Sequence, residues 1–138
     1  MSVPIRFFTS SLGTPNSQSQ DKSWTAFGSL MTSDVQGVAI TLMDLLDAVD
    51  SVRAGRSGSE PIGGNSWDGT VDTKGLHLQD MHSDDWTGSY TREEPHEGMH
   101  ARWDHLSPST DAKLADVQEW EELANRNHPC RSDLTDAP

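Results

Sequence analysis

Between Ser33 and Gly55, Val35, Val38, Leu42, Leu45, Val49 and Val52 follow one another at steps of 3, 4, 3, 4 and 3. That spacing lays one apolar stripe along an α-helix, with Ser33 or Asp34 as N-cap and Ala54-Gly55 as the stop. Met31, Ala39 and Leu46 widen the stripe, whereas Asp44, Asp47 and Asp50 fall off it and are expected to face solvent or a partner. An apolar stripe must be covered, so the rest of a 138-residue chain has to arrange itself around this helix.

The other elements follow from shorter patterns. "VPIRFF" (3–8) is rich in branched and aromatic residues and predicts a strand, while "TSSLGTPNSQSQDKS" (9–23) is polar and full of turn formers and predicts a flexible loop. "WTAFGSLMT" (24–32) fits either a strand or the lead-in to the helix. "GRSGSEPIGGNS" (55–66) reads as a loop, "WDGTVDTKGLHLQDM" (67–81) as a hairpin with alternating apolar residues around a turn, and "HSDDWTGS" (82–89) as an acidic loop. Thr91 and Glu94 fit a capping box that opens a helix ending near Leu106. A further helix from Ser109 or Thr110 to Asn127 is predicted to turn Leu114, Val117, Trp120, Leu123 and Ala124 inward, and "HPCRSDLTDAP" (128–138) reads as a disordered tail. The predicted class is α+β: a single small domain over 24–127, with a short antiparallel sheet made of the hairpin and the N-terminal strand, packed by about three helices.

Charge narrows the possible partners. Ten Lys+Arg stand against 22 Asp+Glu, a net charge of −12, and the acids lie in the C-terminal two-thirds. Such a field repels nucleic acid and anionic membranes and speeds encounter with a basic protein. Direct nucleic-acid and membrane binding are therefore not expected. Cys130 is the only cysteine, so no internal disulfide can form. With no secretory h-region and no run of transmembrane length, the chain is expected to be cytoplasmic.

One string suggests catalysis. "HEGMH" (96–100) places His96 and His100 at i and i+4 on a helix, with Glu97 beside the first, the spacing that holds zinc and a polarising base in the zincin metallopeptidases it resembles. The third ligand would be Glu119, Glu121 or Glu122, and the activity a zinc-dependent hydrolase. Against this, Pro95 puts His96 in the first helical turn, and Gly98 costs the helix about 1 kcal/mol relative to alanine. The packing reading explains more of the string: His96, Met99, Trp103 and Leu106 step by 3, 4 and 3 along one seam. No nucleophile elbow, phosphate loop or dinucleotide fingerprint is present. Cys130, beside Arg131 in the predicted tail, is a candidate reactive thiol. The leading expectation is a protein without catalysis and without a cofactor.

Five tryptophans exceed what a core this small requires. Trp86 follows Asp84-Asp85, and Trp120 lies among Glu119, Glu121 and Glu122, so aromatic anchors ringed by carboxylates are expected to grip an Arg- or Lys-rich surface. The predicted partner-binding face comprises Asp80, Asp84, Asp85, Trp86, Glu93, Glu119, Trp120 and Glu122. From Gly64 to Trp103, the hairpin beginning "GNSWDGTVD" and the "GSYTREE" that opens the next helix resemble the small acidic immunity proteins that bacteria pair with secreted nuclease toxins. The resemblance implies a cytoplasmic inhibitor that covers the basic face of a nuclease or nucleic-acid-binding effector. Antitoxins and anti-CRISPR proteins share this physical type.

Overall fold

The structure, a computed structural model, describes residues 4–9, 11–12, 15–19, 21–35, 38–64, 66–82 and 87–135. Strand β1 (Ile5–Thr9) buries Ile5 and Phe7 and pairs antiparallel with β2 (Pro15–Ser19), with Phe7 opposite Ser17. β2 lies in the stretch predicted to be a loop. Pairing draws on its backbone, so polar side chains suffice: Arg6 donates to Gln18 at 2.9 Å, and the Ser19 hydroxyl to the Pro4 carbonyl at 2.6 Å.

Residues 24–32 are helical. A 3₁₀ turn (Lys22–Trp24), α1 (Thr25–Ser29) and a π-helical turn (Leu30–Val35) bury Trp24, Phe27, Leu30, Met31 and Val35. Asp34 is not the N-cap expected of it. Its carboxylate accepts from the backbone amides of Ser66 and Trp67, both at 3.0 Å, and so ties this turn to the start of β4.

Helix α2 (Ala39–Arg53) therefore starts later than its apolar stripe, after an extended Val38 that is 47% exposed. Leu42, Leu45, Val49 and Val52 are buried as the spacing predicts, and Met43 and Leu46 are buried too. The helix packs on α3, α4, β3 and β4, so it is covered on more than one side. This overturns the expectation for Asp50, which is 8% exposed.

Strands β3 (Ser59–Gly63), β4 (Trp67–Asp72), β5 (Gly75–Asp80) and β6 (Thr87–Tyr90) form one antiparallel meander in sequence order. The β4–β5 hairpin is the predicted one, with Val71 opposite Leu76. β3 and β6 fall in segments read as loops, and the N-terminal strand belongs to its own two-stranded sheet and not to this one. Ile62, Trp67, Val71, Leu76, Leu78 and Tyr90 turn inward, while Asp68 and His77 are exposed on the opposite face. The Tyr90 hydroxyl joins the layers: it accepts from the Phe27 amide at 2.9 Å and donates to the Ser23 carbonyl at 2.8 Å.

Three helices complete the α+β domain: α3 (Glu94–Leu106), α4 (Thr110–Ala124) and α5 (Arg131–Thr135). α4 begins where predicted, with Ser109 as its cap accepting from the Ala112 amide at 3.0 Å, and ends at left-handed Asn125, short of the predicted Asn127. Val117 and Trp120 point inward, but Leu123 is 74% exposed and Ala124 is exposed in the last turn of the helix. The predicted tail is also corrected over 128–135; 136–138 lie outside the described residues. His128 and Cys130 are fully packed, and α5 lies against α4. Among the described residues no helix is long and apolar enough to cross a membrane.

Candidate functional site

Half of the predicted capping box forms at the start of α3, where the Glu94 carboxylate accepts from the Thr91 amide at 2.8 Å. Pro95 occupies the first turn, and the helix buries Gly98, Met99, Arg102 and Trp103. The spacing of His96 and His100 does bring their rings together, with centroids 4.3 Å apart. Their company is not the predicted one. His96 Nδ1–H donates to Asp50 Oδ1 at 2.9 Å, Arg53 donates to the same oxygen at 3.1 Å, and Arg53 also pairs with Glu93 at 2.9 Å. On the inner side His100 Nε2 lies 3.9 Å from Cys130 Sγ, and the thiol faces Asp50 Oδ2 at 3.8 Å.

This cluster joins α2, α3 and the C-terminal segment, and its electrostatics are set by burial. Burial alone would raise the Asp50 carboxyl, but hydrogen bonds and charge from His96 and Arg53 outweigh it and hold the group below the usual carboxylate range. Burial, helped by the neighbouring His96, lowers the His100 imidazole. Burial, reinforced by Asp50, pushes the Cys130 thiol far up. A thiol held protonated and shut off from solvent is not a reactive nucleophile at neutral pH, so the candidate thiol is a packing group.

The glutamates proposed as third zinc ligands go elsewhere. Glu119 and Glu122 lie exposed on α4, and Glu121 holds Arg131 at 2.9 Å and accepts from the His128 amide at 2.9 Å. Glu97 is half-buried on α3. Among the described residues no group of three His, Cys, Asp or Glu side chains is arranged to hold a metal ion. Asp50 and Cys130, which do meet the histidines, were not singled out together because they lie in separate parts of the sequence. The only local signal was the Asp50/Arg53 pair at i,i+3.

Gly98 has a structural purpose in the string. A Cβ there would sit 2.7 Å from two ring carbons of fully buried Phe27 and 3.1 Å from Trp24. Gly98→Ala gains about 1 kcal/mol of helix propensity but overpacks the contact by about 1–3 kcal/mol. A net loss of about 0–2 kcal/mol is expected in urea denaturation, and a stabilised variant would contradict the close approach of α3 to α1.

The predicted partner-binding residues are scattered over different settings. Asp80 accepts from the His82 amide at 2.7 Å, and Glu93 is taken up by Arg53. Asp84, Asp85 and Trp86 lie outside the described residues. Trp120 is corrected: it is 4% exposed, donates Nε1–H to Asp44 at 2.7 Å and packs edge-on against His128. Like Trp24, Trp67 and Trp103 it is core. What α4 does present is Asp111 at its start and Gln118, Glu119, Glu122 and Leu123 in its last turns, all exposed. Leu123, expected inward from its spacing, is a surface group that the periodicity hides; Glu119 and Glu122 near it are visible in the charge pattern. No protein-family model, curated protein or solved structure matches the chain.

Proposed function

We propose that this protein is a non-catalytic acidic inhibitor that binds and neutralises a basic nuclease or nucleic-acid-binding effector in the cytoplasm, in the manner of an immunity protein, antitoxin or anti-CRISPR protein. The observation that carries the reading is the outer side of α4. Asp111, Glu119 and Glu122 have no cationic partner among the described residues; Glu119 lies one turn before Leu123 and Glu122 next to it, and that leucine is 74% exposed. The neighbouring cations are used internally: Lys113 pairs with Asp104, Arg126 with Asp47 and Arg131 with Glu121. The net charge of −12 is therefore not offset on this side. Carboxylates steer a basic surface into place, and Leu123 supplies the apolar contact that Trp120, packed inside, cannot.

The test is binding to a panel of purified basic nucleases by biolayer interferometry across a salt series. Affinity for the cognate enzyme is expected to fall steeply with salt, and Glu119→Lys combined with Glu122→Lys is expected to weaken it by about tenfold or more, mainly through slower association. Tight binding that ignores both salt and the charge reversal would remove the electrostatic basis of the proposal.

A further inference from the structure

Two clefts lie side by side near the end of α2, sharing Arg56 and Pro129. The first, about 470 Å³, is lined by Asp50, Glu93 and Asp133 as well as by Arg53, Arg56 and His96, so its charges largely satisfy one another. The second, about 580 Å³, has no acidic lining residue among those described. Its walls carry the guanidiniums of Arg56, Arg126 and Arg131 together with Asn127 and Ser132. Three of the chain's ten cations thus converge on one cleft of a protein whose net charge is −12.

We propose that this second cleft is a binding site for a phosphoryl group on a small molecule, a site separate from the inhibitory surface on α4. The donors are positioned beforehand. Asp47 holds Arg126 through both Nη1, at 2.9 Å, and Nη2, with the guanidinium 4.7 Å over the Trp120 ring, and Glu121 holds Arg131 through Nε, at 2.9 Å, and Nη2, so these two arginines are fixed in place and give a ligand only their remaining N–H groups. Neither carboxylate lines the cleft, so each orients its arginine without filling the space. Arg56 makes no ion pair or side-chain hydrogen bond with the described residues, which leaves its planar fork of donors for a ligand. A planar guanidinium gives paired hydrogen bonds to a phosphoryl group as to a carboxylate, and a phosphoryl group has further oxygens for the remaining N–H groups of Arg126 and Arg131, so Arg56 is the principal donor and the other two assist. The volume exceeds what inorganic phosphate needs and falls in the range of small-molecule sites.

Isothermal titration calorimetry with pyrophosphate and with ADP, at matched ionic strength, tests the site on the full chain. Saturable one-to-one binding is expected, weakened about tenfold in Arg56→Ala and in Asn127→Ala, with the melting temperature of each ligand-free variant unchanged. ADP binding more tightly than pyrophosphate assigns the remaining space to the nucleoside, and equal affinities assign the cleft to the phosphoryl group alone. No saturable heat from either compound at millimolar concentration overturns the proposal, as does binding that neither substitution weakens.

Discussion

Truncating His128 to alanine is expected to cost about 2–5 kcal/mol of folding stability, because two buried backbone groups lose their partner at once. His128 is 2% exposed. Its Nε2–H donates to the Met43 carbonyl at 2.8 Å, and its Nδ1 accepts from the Cys130 amide at 3.0 Å. Those two bonds require the neutral imidazole and fix its tautomer. They also anchor the C-terminal segment to the middle of α2, while the ring packs edge-on against Trp120. Alanine leaves a carbonyl and an amide unsatisfied in the interior, at about 1–3 kcal/mol each, and opens a cavity beside the indole. Urea denaturation at neutral pH measures the loss, and a value near zero would mean that the segment contributes little to folding.

The same geometry makes the fold acid-sensitive. Burial holds His128 below the ordinary imidazole value; the Met43 carbonyl and the charges of Asp47, Asp50 and Glu121 pull upward but do not outweigh it. A second proton would sit on Nδ1, facing an N–H donor. The unfolded chain takes up that proton near pH of about 6.5, the native one only lower. The contribution is therefore complete above the unfolded value and is lost as pH falls through the folded one. His100, lowered first by burial and then by His96, acts with the same sign. The wild-type urea midpoint is expected to drop in mildly acid buffer, and to drop less in His128→Ala.

What could be read from the sequence, and what could not, divides along a physical line. α2, α3, α4 and the β4–β5 hairpin repeat their apolar residues at the period of their own backbone, so their existence needs no knowledge of partners. β2 has no such period: Asn16, Ser17 and Gln18 are polar, and the strand exists because β1 needs its backbone bonds satisfied. Asp34 and Asp50 each have a plausible local role, as cap and as surface acid, and each is claimed instead by groups far away in the chain. His96, for example, lies 46 positions from Asp50. The histidine string shows the same split. Its i,i+4 spacing reports truthfully that the two rings meet, but nothing in the spacing reveals that a carboxylate from α2 and a thiol from the C-terminal segment complete the group, or that Gly98 is there to admit Phe27. The acidic surface is legible in outline because charge is a matter of composition; its apolar group is not, because whether Leu123 packs depends on what the rest of the chain places against the last turn of α4, which helical spacing does not reveal.

Asp50→Ala is expected to destabilise the protein by about 2–4 kcal/mol, the range for removing one member of a buried ionic group, reduced because Arg53 keeps a second partner. One carboxylate here accepts from His96 and Arg53 and faces the Cys130 thiol, so its loss loosens α2 from both α3 and the C-terminal segment. Arg53 retains Glu93 and reaches solvent, which leaves His96 and the space beside Cys130 as the real deficit. Asp50→Asn separates the two components: the side-chain oxygen can still accept from His96, so the packing survives and the charge alone is lost. Because the native Asp50 carboxyl is held below its ordinary value of about 3.9, its contribution is present above that value and disappears as pH falls through the native one. Wild-type stability should therefore decline in two stages, first as the buried histidines charge and then as Asp50 is protonated. Urea midpoints measured down the acid range are expected to lose only the second stage in Asp50→Asn, and both variants giving wild-type stability at neutral pH would show that the three segments are joined by apolar packing alone.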